Sequence, residues 1–548
     1  MKNRKIIYGA VLTALMSFSA LTGCGANNAE DKYDKDGRLI LNLKNVYFDQ
    51  WQGEDMYTDI INEKFGVSIK ASNYAYEDWD TMVNTAINGN NLTDTIQFNL
   101  KAYNFGSTYE SWVDFGMLKP LPDNMSKWPE LKKMLDGISN IDALKIDGKL
   151  YGIPIANDIT NPQKDFSNFT YVYRRDWAKK IDEMYPDREP VYRDGDVYTW
   201  DEFTRLCEAF DTNIKTLSGM SQASVLVDEE WAFPSVTNFY KDAPHCYAKD
   251  AEGKAIANFA GEKYLAGLDV AKKFVSGGKD QQDLFYGKKI YSQDQYNFAP
   301  NKANQLYLGG QAAILYDNYS LANYIKLRKL FKASQKYVDL DDGTAFLKIK
   351  GPDGKFALEG TENWFSMTMF NADISDKKQE KILDILDYLL TEEGTRLAIY
   401  GKEGYDYTIV DGKVVLSEMG WEKDSMTGQY ATKTNGAKYL RYMATLGNDT
   451  KSFDPFTEQD AYQLLTKWQE EMKTAKAAGN LRVVKEPADI SWMSTPTKND
   501  KTEGLLNDAN TAVLKYCFNK IDLDAYKKEF ENNNWKKVLQ EINAKLGK

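Results

Sequence analysis

The sequence predicts an α/β fold, and two observations carry that prediction. Strand-like and helix-like stretches alternate between Arg38 and Phe98, the order that builds a parallel sheet covered by helices. Asp-Gly pairs recur between extended runs, at Asp36-Gly37, Asp147-Gly148, Asp194-Gly195, Asp353-Gly354 and Asp411-Gly412. Glycine there supplies the positive φ of a tight turn at little cost.

Each element has its own signal. Arg38–Tyr47 (RLILNLKNVY) alternates as a strand does. Asp55–Phe65 places Met56, Ile60, Ile61 and Phe65 at helical spacing, and Gly66 stops it. Val67–Ala71 is a second strand. Tyr76–Asn88 is a second helix, with Trp79, Met82, Val83 and Ala86 on one face. Thr95–Phe98 is a third strand. Thr199-Trp200-Asp201-Glu202 has the form of a capping box, which opens a helix. Ile382, Leu383, Ile385, Leu386, Leu389 and Leu390 form a wide apolar face, predicted to start near Ser375 and end near Gly394. The C-terminal part reads as helical, with Ala461–Ala478 and Leu505–Phe518 the clearest segments.

Composition removes several functions. The chain has 548 residues, 80 acidic and 69 basic, one histidine and four cysteines. Hydrophobic residues make up 43%, enough for a sizeable core. The net charge of −11 repels phosphate backbones, so nucleic acid is not expected as a partner. A single histidine, His245, leaves no metal site built on two imidazoles, and no histidine-assisted nucleophile except one built around it. No phosphate-binding loop, dinucleotide fingerprint, C-x-x-C or H-E-x-x-H occurs. Asp339, Asp341 and Asp342 cluster, but the spacing of an EF-hand calcium loop is not met. No cofactor and no metal are expected. Aromatics are abundant, at 12 Trp, 35 Tyr and 25 Phe, and such rings suit both a core and a ligand carried in water.

The N-terminus reads as an address. Lys2, Arg4 and Lys5 precede an uncharged, mostly apolar run from Ile6 to Leu21, then Leu21-Thr22-Gly23-Cys24. This is the pattern of a secretory signal over residues 1–23. Leu-Thr-Gly-Cys resembles a bacterial lipobox, which implies cleavage before Cys24 and a diacylglycerol on its sulfur; two acyl chains give durable anchoring. Residues 24–37 then serve as a polar, charged tether. Once the signal is removed, the chain carries 66 basic against 80 acidic residues. No later segment is apolar for long enough to span a membrane. For Cys207, Cys246 and Cys517, spacing leaves open both a Cys207–Cys246 bridge and three buried free thiols.

Several further segments share one resemblance. They are Lys145–Pro154 (KIDGKLYGIP), Tyr171–Ile181 (YVYRRDWAKKI), Tyr198–Phe210 (YTWDEFTRLCEAF), Leu306–Asn318 (LYLGGQAAILYDN) and Leu386–Gly412 (LDYLLTEEGTRLAIYGKEGYDYTIVDG). In this order they resemble the extracellular solute-binding lipoproteins of ATP-driven carbohydrate importers, in the large subgroup of Gram-positive bacteria. The last segment is the most specific. The resemblance implies a two-lobed, periplasmic-binding-protein-like α/β fold with an interlobe cleft, hinge crossings and a helical C-terminal part. It puts lobe one at 38–157 plus 356–408 and lobe two at 158–355 plus 409–548.

In open α/β sheets a ligand sits beyond the C-terminal ends of strands. In lobe one that rule selects Asp49 and Trp51, then Trp79, then Asn99 and Lys101. In lobe two it selects Trp231, then Asp317 and Asn318. Glu362 and Trp364 begin the returning lobe-one strand, and Trp492 comes from the C-terminal part. Trp79 also fits its helix's apolar face, where it would be core. These residue types suit a sugar, because an indole covers the C–H face of the ring and a planar carboxylate or amide pairs its hydroxyls.

The expected function is that of a monomeric, lipid-anchored binding protein on the outer face of the cell membrane. It captures an oligosaccharide and delivers it to an ABC transporter permease, without catalysis. The competing readings are a surface glycoside hydrolase or lyase, for which two carboxylates suffice, and a carrier of a non-sugar solute such as a peptide.

Overall fold

Along the strand Leu39–Lys44, Leu39, Leu41 and Leu43 are buried and the residues between them are half-buried, the period of two expected of a strand. The computed structural model describes residues 31–547, apart from 49, 76–77, 90, 102–104, 158–164, 229–232, 296–300, 336–342, 424–429, 434–435 and 447–458. The helix Met56–Phe65 follows, capped by the Asp55 side chain, which accepts from the Tyr57 and Thr58 amides. Gly66 ends it at φ 65°. The strand Val67–Ser72, the helix Trp79–Asn88 and the strand Thr95–Phe98 complete the predicted alternation.

These strands form a first sheet in the order Val67–Ser72, Leu39–Lys44, Thr95–Phe98, Trp364–Asn371, Leu118–Lys119, with Gly152–Ala156 also pairing with Trp364–Asn371. The first three are parallel; Trp364–Asn371 returns antiparallel, Met367 opposite Phe98. The second sheet runs Val197–Tyr198, Thr344–Ile349, Phe169–Arg174, Ala312–Asn318, Ser224–Asp228. It too is mixed, with Phe169–Arg174 antiparallel to both neighbours. The fold is therefore α/β on two separate mixed sheets, a two-lobed arrangement.

Each sheet has its own core. Around the first pack Leu41, Val83, Ile96, Met369 and Leu386, joined by Ala437, Leu440, Met443 and Ala444. The second sheet is covered on both faces. Tyr171 and Tyr173 face a core completed by the helices Pro496–Cys517 and Asn533–Lys545. Val172, between them, faces a smaller core with Phe331, Phe346, Trp468 and Met472.

Two helix boundaries differ from expectation. The helix Asp376–Leu390 stops at Thr391, which caps a new helix, Glu392–Tyr400, by accepting from the Gly394 amide at 3.1 Å. Gly394 lies inside that second helix, and the close approach of the Tyr388 carbonyl leaves no room there for a side chain. The helix predicted over Leu505–Phe518 begins earlier, at Pro496, because the Thr495 hydroxyl caps it and its polar first turns are buried. The capping box at Thr199 and Glu202 forms as predicted.

The chain segments linking the sheets lie side by side. The Asn157 amide donates to the Asn363 carbonyl at 2.8 Å, and the Leu446 amide to the Ala156 carbonyl at 3.0 Å. On the side of the second sheet, the Ser167 amide donates to the Glu359 carbonyl at 2.8 Å. Cys207, Cys246 and Cys517 are buried free thiols. Among the described residues, no helix is long and apolar enough to cross a membrane. Cys24 and the aspartates at 339, 341 and 342 lie outside the described residues.

Candidate functional site: a cavity between the two sheets

A cavity of about 750 Å³ opens where the crossing segments meet. The first sheet contributes Asn99 and Trp364, the second Phe169 and Asn318, the crossings Asn157 and Glu362, and the C-terminal part Gln469 and Trp492. Its size is that of a typical small-ligand pocket.

The aromatic wall is built by packing. Trp364 opens the strand Trp364–Asn371, where a register shift in its pairing with Gly152–Ala156 turns the chain. Its indole N–H donates to the Ser139 carbonyl at 3.2 Å. Trp492, just after the short helix Ala488–Ser491, sets its ring 5.7 Å from that of Trp364 at 34°. Phe105 meets Trp492 edge-on.

Polar groups frame this wall. Glu362 accepts from the Ser139 hydroxyl at 2.5 Å and from the Asn140 amide at 2.7 Å, and its Oε1 lies 3.1 Å from Lys485 Nζ. The Asn363 side chain is spent on structure: it accepts from the Ser139 amide and donates to the Gly137 carbonyl. Gln469 donates to the Asn168 side chain at 3.2 Å. Glu486 accepts from the Tyr247 amide at 3.0 Å. Burial holds the Lys498 amine down at about 8 and pushes the Cys246 thiol well up.

The structure gathers five of the residues proposed from sequence onto this cavity: Asn99, Asn318, Glu362, Trp364 and Trp492. Lys101 lines it as well. Three others are absent from the lining. Trp51 is tied down by its indole N–H to Asp55 at 2.7 Å and by stacking on Tyr439. Trp79 is buried in the first core and donates to the Gln97 carbonyl at 2.7 Å. Asp317 accepts from the Asn304 side chain at 2.7 Å. Asp49 and Trp231 lie outside the described residues.

Sequence reasoning did not select Lys485, Glu486 or Lys498, which also line the cavity. In the chain they look like ordinary solvated charges. Pro487 next to Lys485-Glu486 was the one local hint of a turn there. His245, the single histidine, is exposed and borders the cavity. Among the described residues, no group of three His, Cys, Asp or Glu side chains is placed to hold a metal ion.

The arrangement suits reversible binding of a polar ligand with apolar faces, since aromatic rings and oriented hydrogen-bonding groups surround one space shared by two bodies. Comparison with solved structures finds the same fold in an extracellular solute-binding protein from Bifidobacterium longum subsp. infantis, at TM-score 0.63 and 14% identity, over 93% of this chain and 100% of that one. The alginate-binding protein AlgQ2, solved without calcium ion, is similar at TM-score 0.59 and 14% identity, over 93% and 98%. The S. pneumoniae ABC-transporter substrate binding protein FusA, in complex with kestose, is similar at TM-score 0.57 and 14% identity, over 93% and 99%. No curated protein matches the chain. The family described as bacterial extracellular solute-binding protein matches residues 57–340, more than half of the sequence. With two lobes, a cavity between them and that family match, this chain belongs to the bacterial extracellular solute-binding proteins.

Proposed function

We propose that the protein captures an oligosaccharide in the cavity between its lobes and hands it, chemically unchanged, to an ABC transporter permease. The observation that carries this reading is the cavity lining, where Trp364 and Trp492 supply ring faces and Asn99, Asn318, Gln469 and Glu362 supply planar polar groups. That pairing matches a sugar's apolar face and hydroxyl rim. AlgQ2 is an alginate-binding protein and FusA was solved with kestose, which supports the ligand class. The lobes are proposed to follow the two sheets, with residues 437–444 counted in the first because they pack in its core. Lipidation at Cys24 is proposed to hold the protein at the outer face of the membrane as a monomer, with the polar segment after it as tether.

A micromolar site corresponds to about −8 kcal/mol, part of which offsets closing the lobes around the ligand. Delivery requires release, so much tighter binding would work against transport. Calorimetry of the protein lacking residues 1–24 with a glycan panel tests the reading. Stoichiometric binding without turnover is expected. Cleavage of the sugar at catalytic protein concentration would replace it with the hydrolase reading. Binding of peptides and no glycan would replace it with a peptide carrier.

A further inference from the structure

Lys498 lines the cavity and is 1% exposed. It lies in the first turn of the helix Pro496–Cys517, where its amide is capped by the Thr495 hydroxyl at 3.3 Å. A cation there faces the positive end of the helix dipole. Its ammonium has three N–H donors. Among the described residues one takes an acceptor, the Ser491 carbonyl at 2.6 Å, and no carboxylate forms an ion pair with Lys498 within 4 Å. The titratable groups that face it are Glu486, which already accepts from the Tyr247 amide, and the Cys246 thiol. The Tyr247 ring stands 6.0 Å from its Nζ. Burial outweighs the attraction of Glu486 and holds the amine below its ordinary range.

Packing does not account for this charge. A methionine would fill a similar volume without desolvating an ammonium. Lys485, on the same wall, is already matched by Glu362. A buried cation with spare donors, on the wall of a binding cavity, is completed by an anionic group arriving from solution. A neutral hydroxyl would accept a hydrogen bond and leave the charge uncompensated.

We propose that the cavity takes an acidic oligosaccharide, one bearing a uronate-type carboxylate, and that the Lys498 ammonium pairs with that carboxylate. The proposal rests on the oligosaccharide reading above and narrows it.

The test uses the protein lacking residues 1–24, titrated with uronate trisaccharides and with the same trisaccharides after reduction of each carboxyl to the alcohol. At least one uronate trisaccharide is expected to bind about tenfold or more tighter than its reduced partner. Lys498→Met, which removes a buried charge and is expected to melt higher than the parent, should bring that ratio to within about twofold. The proposal is overturned, with the oligosaccharide reading intact, by reduced or other neutral sugars binding as well as the uronates. It is equally overturned by Lys498→Met keeping the preference. If no glycan of either charge binds, the oligosaccharide reading falls and this one with it.

Discussion

Trp364 and Trp492, whose rings lie 5.7 Å apart, come from different parts of the chain: Trp364 opens a strand of the first sheet and Trp492 follows a short helix of the C-terminal part. The wall of the cavity therefore exists only once those parts have docked. Trp492 is half-buried, whereas Trp364 is 5% exposed and anchored to Ser139. Trp492→Ala is expected to weaken glycan binding roughly tenfold or more, about 1.4 kcal/mol. The melting temperature should move little. Calorimetry and thermal melting of the same variant check both.

Trp51 should behave in the opposite way. Its indole N–H is bonded to Asp55, and its ring stacks on Tyr439. Trp51→Ala is expected to cost about 2–3 kcal/mol of stability. Affinity for glycans should stay within about twofold. Denaturant melts and titrations compared side by side will separate the two effects; a large affinity loss would bring Trp51 into the site.

Glu362 and Lys485 clasp the crossing to the C-terminal part at 3.1 Å, with side chains 19% and 33% exposed. Because Glu362 also accepts from Ser139 and Asn140, removing it strands three donors. Glu362→Ala is expected to destabilise by about 2–3 kcal/mol, with a coupling to Lys485→Ala of roughly 1 kcal/mol in a double-mutant cycle. A coupling near zero would mean that water screens the pair.

Lys498 gives a pH signature. Burial lowers its amine from 10.5 to about 8. The folded protein thus binds this proton less tightly than the unfolded chain does. Protonation opposes folding below pH 8, and the penalty disappears as pH rises from about 8 to about 10.5. At its full size the penalty is roughly 3 kcal/mol. Lys498→Met should therefore be more stable than the parent at pH 7 and lose that advantage across the window. Denaturation of both proteins from pH 6.5 to 10.5 reads the difference directly, and a gap independent of pH would mean that the amine is compensated.

Cys24→Ala should release the protein from cells into the medium, because the acyl chains would have nowhere to attach. Fractionation of cells and medium measures this. Retention of the variant in the membrane fraction would contradict lipid anchoring at that residue.

Much of the fold was legible from neighbouring residues. The strand Thr95–Phe98 and the helix ending at Phe65 before Gly66 match their predicted bounds at those ends. The capping box at Thr199 needed only residues three apart. Asn99, Asn318 and Trp364, selected from sequence because strand ends point towards a cleft, line the cavity. Trp79 shows the limit of that rule: it stands near a strand end, yet its helix turns the ring into the core.

The sequence alone determined the alternation of strands and helices, the turn positions and the charge and aromatic supply, because these depend on contacts a few residues apart. The tertiary structure decided which charges are buried. Lys485 and Glu486 reach the cavity because the strand Leu481–Val484 just before them pairs with Phe356–Glu359, and Lys498 because its helix is tied to Tyr247 by a 2.7 Å hydrogen bond between the Tyr247 and Thr502 hydroxyls. Burial of a charge depends on what folds over it from elsewhere in the chain, and no local pattern records that.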